Sequence, residues 1–113
     1  MSAPLIVYVT APDNQVAEKI AMKLLEERLI ACANLLPGML SHYRWNDRLE
    51  SSKEIVLILK TTDKLFETAK ARILELHPYD LPCILGWPAT KLHEPYYQWI
   101  RDSVEKRKTH DKE

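Results

Sequence analysis

From Cys32 to Thr61 the sequence reads as two extended arms that are too long for the molecule carrying them. The ascending arm, Cys32 to Trp45, is strand-like apart from Pro37-Gly38, a pair that suits a bulge or kink better than the interior of a ladder. Asn46-Asp47 suits a two-residue turn, and the return arm runs from Arg48 to about Thr61. At about 3.3 Å per residue the ascending arm alone reaches roughly 46 Å. A chain of 113 residues folds to a radius of gyration of about 13 Å. The hairpin must therefore bend or project. Projection leaves Tyr43 and Trp45 near its tip in water, an arrangement that marks an interface; the alternative folds both rings back onto their own sheet.

The flanking segments supply the remaining elements. Leu5-Ile6-Val7-Tyr8-Val9 is continuously apolar, the pattern of a central strand covered on both faces. Asp13 can cap a first helix, running to about Leu29, on which Val16, Ile20 and Leu24 recur beside Ala17, Ala21 and Leu25. The second helix starts near Asp63, carries Leu65, Ala69 and Ile73 in one row with Phe66 and Leu76, and is stopped by His77-Pro78. Cys83 to Trp87, held between Pro82 and Pro88, suits a short edge strand. Pro95 suits the first turn of a last helix with a Tyr96, Trp99, Ile100, Val104 stripe, Trp99 being placed in the core. The expected class is α+β: a ferredoxin-like βαββαβ sandwich with a long β-hairpin and an extra C-terminal helix. One domain spans residues 1–104, and the charged residues 105–113 are expected to fray.

Composition narrows the function. Sixteen Lys and Arg against sixteen Asp and Glu give a net charge of zero, so no positive surplus serves nucleic acid or an anionic membrane. Zero net charge also favours association. Two glycines and two cysteines are too few for a phosphate-cradling loop or a disulfide framework. No apolar run approaches the roughly 20 residues of a spanning helix, and no leader is expected ahead of the first strand. A reducing cytoplasm is the expected compartment.

Several ordered motifs resemble the CutA family of divalent-cation tolerance proteins. They are Val9-Thr10-Ala11-Pro12-Asp13, Glu27 through Asn34 with Pro37-Gly38, Tyr43-Arg44-Trp45, Lys60-Thr61-Thr62, His77 through Pro82, and Tyr97-x-Trp99-Ile100. The resemblance covers about Ile6 to Ile100. It implies a cytoplasmic homotrimer of ferredoxin-like subunits joined through the hairpins, linked to tolerance of copper and other divalent metals, with no enzymatic reaction and no obligatory cofactor. Three departures stand out. Asn46 replaces a usual Gly, and Asp80 and Cys83 stand where Glu is common. Of the Cys and two successive His that some members use for copper, this chain has Val9, Leu76 and His77, so only His77 carries over.

Copper and zinc need thiolate or imidazole ligands presented together. His77 and Cys83 flank the loop between the second helix and the last strand, and form the candidate metal pair for Cu(II) or Zn(II). The competing reading has His77 closing a helix end and Cys83 filling a core position. Cys32 reads as core, His42 as a strand-face group beside Arg44, and His93 and His110 as solvated surface. Glu50, Ser52 and Glu54 share one strand face; three symmetry copies would gather them as a weak hard-cation site, whereas pairing with Arg44 and Arg48 makes them a solvated surface. Other functions weighed on this topology are a trimeric sensor of the nitrogen-regulatory type and an acylphosphatase-like hydrolase. The first lacks a glycine-rich loop for nucleotides. The second needs an Arg where Ala11 to Asn14 stand. A sheet that binds RNA needs stacked aromatics, and Tyr8 alone does not supply them.

Overall fold

Alternation along β1 (Pro4–Ala11) sends Leu5, Val7, Val9 and Ala11 to one side, where all are buried, and Ile6, Tyr8 and Thr10 to the other. The computed structural model describes residues 3–110, with side chains described for 3–105. β1 lies centrally in an antiparallel sheet of order β2-β3-β1-β4, pairing with β3 (Arg48–Thr62) and with the edge strand β4 (Ile84–Pro88). β2 (Cys32–Trp45) pairs with β3 along the whole hairpin.

Two helices cover the Val7 face. α1 (Asn14–Glu26) is capped by the Asp13 carboxylate, which accepts the Val16 N–H at 2.9 Å, and buries Ala17, Ile20, Ala21 and Leu24. α2 (Phe66–Leu76), entered through a 3-10 turn at Asp63–Leu65, buries Ala69 and Ile73 and stops at His77. With Leu57 and Leu59 of β3 these residues make one core. Gly86 lets β4 approach α2, because a Cβ there would sit 3.0 Å from Phe66 Cε1.

The hairpin behaves as its sequence demands. Two residues, Pro37 and Gly38, oppose one, Ile55, where the register shifts between Leu36 and Met39. Gly38 adopts φ +85° in this bulge, which bends the arm. Asn46 and Asp47 both take positive φ, 52° and 62°, the conformation of a type I′ turn. The hairpin projects as well as bends: the molecule measures 52 × 31 × 22 Å with a radius of gyration of 15.2 Å.

Three expectations need correction. α1 ends at Glu26 rather than near Leu29, because Arg28 turns left-handed (φ 58°) and the Arg28 and Leu29 N–H groups return to Leu25 O and Leu24 O. On α3 (Glu94–His110), Ile100 and Val104 are buried, but Trp99 is 46% exposed and stacks on Tyr96 with centroids 5.4 Å apart. The α3 backbone is helical through His110; residues 111–113, the end of the charged tail, lie outside the described residues. β1 also departs from its expected two-sided burial. Its Val7 face is covered, whereas beside Ile6 and Tyr8 the other face leaves Leu36 54% and Leu85 56% exposed and Trp87 half exposed. Among the described residues no helix is long and apolar enough to cross a membrane.

Candidate functional site

The bulge and the two-residue turn set a register that lays Met39, Ser41, Tyr43 and Trp45 of β2 opposite Glu54, Ser52, Glu50 and Arg48 of β3. These side chains share the sheet face that carries Tyr8 and Thr10. The segment between α2 and β4 folds over that face and brings Tyr79, Asp80, Leu81 and Cys83. The result is a cavity of about 680 Å³ between hairpin, β1 and the α2–β4 segment, with Glu54 and Glu50 in its wall.

Glu54 is the centre of this arrangement. Only 8% of it is exposed; Ser41 Oγ donates to its Oε1 at 2.6 Å and the Tyr79 hydroxyl to its Oε2 at 2.8 Å. A buried carboxylate needs such donors, since an unpaired one is strongly penalised. Burial, then the hydrogen bond to Glu54 and its charge, push the Tyr79 phenol well above its usual range. Burial, then the charge of Glu54, raise the Cys83 thiol as well, which keeps it protonated at neutral pH. The solvated-strand reading fails for Glu54. The ion pairs among the described residues join Lys23 to Glu26, Lys70 to Glu67, and Arg72 to Glu27 and Glu75, and none involves Arg44 or Arg48.

His77 lies behind the cavity rather than in its lining. It is 7% exposed; Nδ1 accepts the Tyr79 N–H at 3.2 Å, so the proton sits on Nε2, which donates to Thr10 O at 2.7 Å. Cys83 lines the cavity. Tyr79 thus stands between the two members of the candidate metal pair, bonded to His77 through its backbone and to Glu54 through its hydroxyl. Among the described residues no three His, Cys, Asp or Glu side chains gather as a metal-holding group. Cys32 is half-buried with Sγ 3.8 Å from Asn34 Oδ1. His42 Nδ1 lies 2.8 Å from Ser51 Oγ, and His93 lines a smaller hollow beside the start of α3. The His110 side chain lies outside the described residues.

Ser41 and Tyr79 belong to the candidate site through their contacts with Glu54, and sequence reasoning passed over both. For Ser41 a signal existed: counting back from the Asn46-Asp47 turn places Met39 and Ser41 opposite Glu54 and Ser52. For Tyr79 no local signal exists, because its contact with Glu54 depends on how the α2–β4 segment crosses the sheet.

Comparison with known proteins agrees with this architecture. The family model of the CutA1 divalent ion tolerance protein matches residues 5–103. The divalent-cation tolerance protein CutA of Pyrococcus horikoshii is 45% identical over 102 residues, spanning 90% of this chain and 99% of that relative. The crystal structure of CutA from Xylella fastidiosa superposes with a TM-score of 0.88 at 36% identity, covering 91% of this chain and 99% of that one. The structure of the periplasmic divalent cation tolerance protein CutA from Archaeoglobus fulgidus gives 0.87 at 33% identity, covering 89% and 98%. With a match of this extent in sequence and in fold, the chain belongs to the CutA1 divalent ion tolerance family.

Proposed function

We propose that this chain is a non-catalytic divalent-cation tolerance protein that responds to copper and acts as a cytoplasmic homotrimer. The observation that carries the assembly is the mismatch on β1. Its sequence is apolar on both faces, yet the chain's own helices cover one and leave Leu36, Leu85, Trp87, Tyr43 and Trp45 exposed on the other. A face of that kind calls for a partner. The outer strands β2 and β4 each present a free edge within the chain, and identical copies joined edge to edge in one rotational sense close into a ring. Three is the number the family resemblance implies. The two free thiols, Cys32 and Cys83, favour a reducing compartment.

The metal taken up is Cu(II) or Zn(II), with His77 contributing and Cys83 as its partner. Binding is weak. The metal must displace the Tyr79 N–H from His77 Nδ1 and a proton from Cys83, and among the described residues no group of three ligands is preorganised. Light scattering tests the assembly: a mass of about three times 13.2 kDa is expected, and a monomer at micromolar concentration overturns it. Calorimetric titration tests the metal. Dissociation constants of about 1 μM or weaker are expected, whereas nanomolar binding that survives in the His77→Ala, Cys83→Ser double variant overturns the pair.

A further inference from the structure

The cavity around Glu54 has a chemical character that the metal reading does not use. Its walls hold three carboxylates, Glu50, Glu54 and Asp80, the rings of Tyr8, Tyr43, Trp45 and Tyr79, one imidazole, His42, and no lysine or arginine. Glu54 is more than nine-tenths buried. Its two hydroxyl donors engage each oxygen once but leave its charge uncompensated, since no cation pairs with it among the described residues.

Each class of ligand can be weighed against that lining. An anion meets three like charges. A neutral apolar molecule would strip water from Glu50 and Asp80 and return nothing to Glu54. A bare metal ion needs several ligand atoms converging on one point, and no such group of three exists among the described residues. A volume of about 680 Å³ also far exceeds what one ion occupies. An organic cation satisfies both components of the wall, because an ammonium group pairs with carboxylates and its charge is attracted to aromatic faces. A quaternary ammonium has no N–H to give the carboxylates, whereas a primary or secondary one has. Glu50 and Glu54 lie four residues apart on one face of β3, or about 13 Å, so a linear molecule with an ammonium at each end meets both.

We propose that this cavity binds an aliphatic diamine or polyamine, held by Glu54 and Glu50 through its ammonium groups and by the tyrosine rings along its chain. The outer rim, Tyr43 and Trp45, is where a second copy would narrow the opening. Tyr43 and Trp45 also belong to the face assigned above to subunit contact, so the site rests on that assembly leaving the Glu54 end of the cavity open.

Calorimetry on the full-length protein in its native assembly, with chelator present throughout, tests it using spermidine, tetramethylammonium and an uncharged diol of similar length. Spermidine is expected to saturate one site per chain, with the other two at least about tenfold weaker. Glu54→Gln is expected to weaken spermidine by about tenfold or more, the scale of a lost charge-assisted bond. Glu50→Gln, on the half-exposed strand, holds no core residue and is expected to weaken it by about threefold or more. Glu67→Gln, which removes an equal charge from the outer face of α2, leaves binding unchanged. No saturation by about 10 mM spermidine, equal affinity in the parent and in Glu50→Gln, or an equal fall in Glu67→Gln overturns the site. Mass measured on the same samples keeps this result separate from that of the trimer.

Discussion

Tyr79 ties together two buried ionisable residues, donating its hydroxyl to Glu54 at 2.8 Å and its backbone N–H to His77 Nδ1 at 3.2 Å. Its phenol, held above its ordinary value by burial and then by Glu54, makes the fold sensitive to alkali in a defined sense. Below about pH 10 the phenol is protonated in both folded and unfolded chains, and its contribution to stability is complete. Above that, the unfolded chain releases the proton while the folded chain retains it, so stability falls as pH rises toward the folded value. Tyr79→Phe leaves Glu54 one donor short and is expected to cost about 1–3 kcal/mol at pH 7. The gap between parent and variant should narrow in urea titrations above about pH 10. A gap independent of pH would show that the Tyr79 proton is not held by the fold.

The end of α1 shows how an element can close without its usual residue. Arg28 N–H to Leu25 O at 3.1 Å and Leu29 N–H to Leu24 O at 2.9 Å form a Schellman closure, with arginine at the left-handed position that glycine normally fills. Arg28 is retained there by a second contact: Nη1 donates to Ser103 O at 2.7 Å and anchors α3. Arg28→Ala and Arg28→Gly both lose that anchor, but only glycine relieves the positive φ. The glycine variant is therefore expected to be more stable than the alanine variant by about 1 kcal/mol in thermal or urea unfolding. Equal stabilities would mean that the backbone relaxes out of the left-handed region.

Over the whole molecule, the long hairpin and the uncovered sheet face are two expressions of one shortage of partner surface. Trp45 at the hairpin end is 43% exposed, leaving roughly 100 Å² of ring for a neighbour to cover. At 25 cal/mol per Å² that corresponds to about 2–3 kcal/mol per subunit, repeated in each copy of a ring. Trp45→Ala is expected to dissociate on dilution well before the parent in sedimentation experiments, with far-UV spectra unchanged. Trp99, half exposed and stacked on Tyr96, is no core plug; Trp99→Ala is expected to cost about 1–2 kcal/mol rather than the larger penalty of a buried cavity. If Trp45→Ala holds its mass at the parent's dilution, the assembly rests on the sheet face around Leu36, Leu85 and Trp87.

The features legible in the bare chain are those encoded within a few residues of the position concerned. Asp13 announces the α1 cap, Pro37-Gly38 the bulge, Asn46-Asp47 the turn and His77-Pro78 the end of α2, because each acts through the φ/ψ preferences and hydrogen-bonding groups of its own neighbourhood. The period-two and period-3.6 patterns then assign faces, and the order of elements follows. Arg28 escaped that reading because an arginine at a left-handed position carries no local mark. Trp99 escaped it because the stripe records which residues are apolar and leaves open how much of the helix the fold will cover. The site belongs almost wholly to the tertiary structure. Glu54, a strand carboxylate like Glu50 in sequence, becomes a buried charge only when Ser41 arrives across the hairpin and Tyr79 arrives from the α2–β4 segment. That difference is set by long-range packing and desolvation, which a local pattern cannot record.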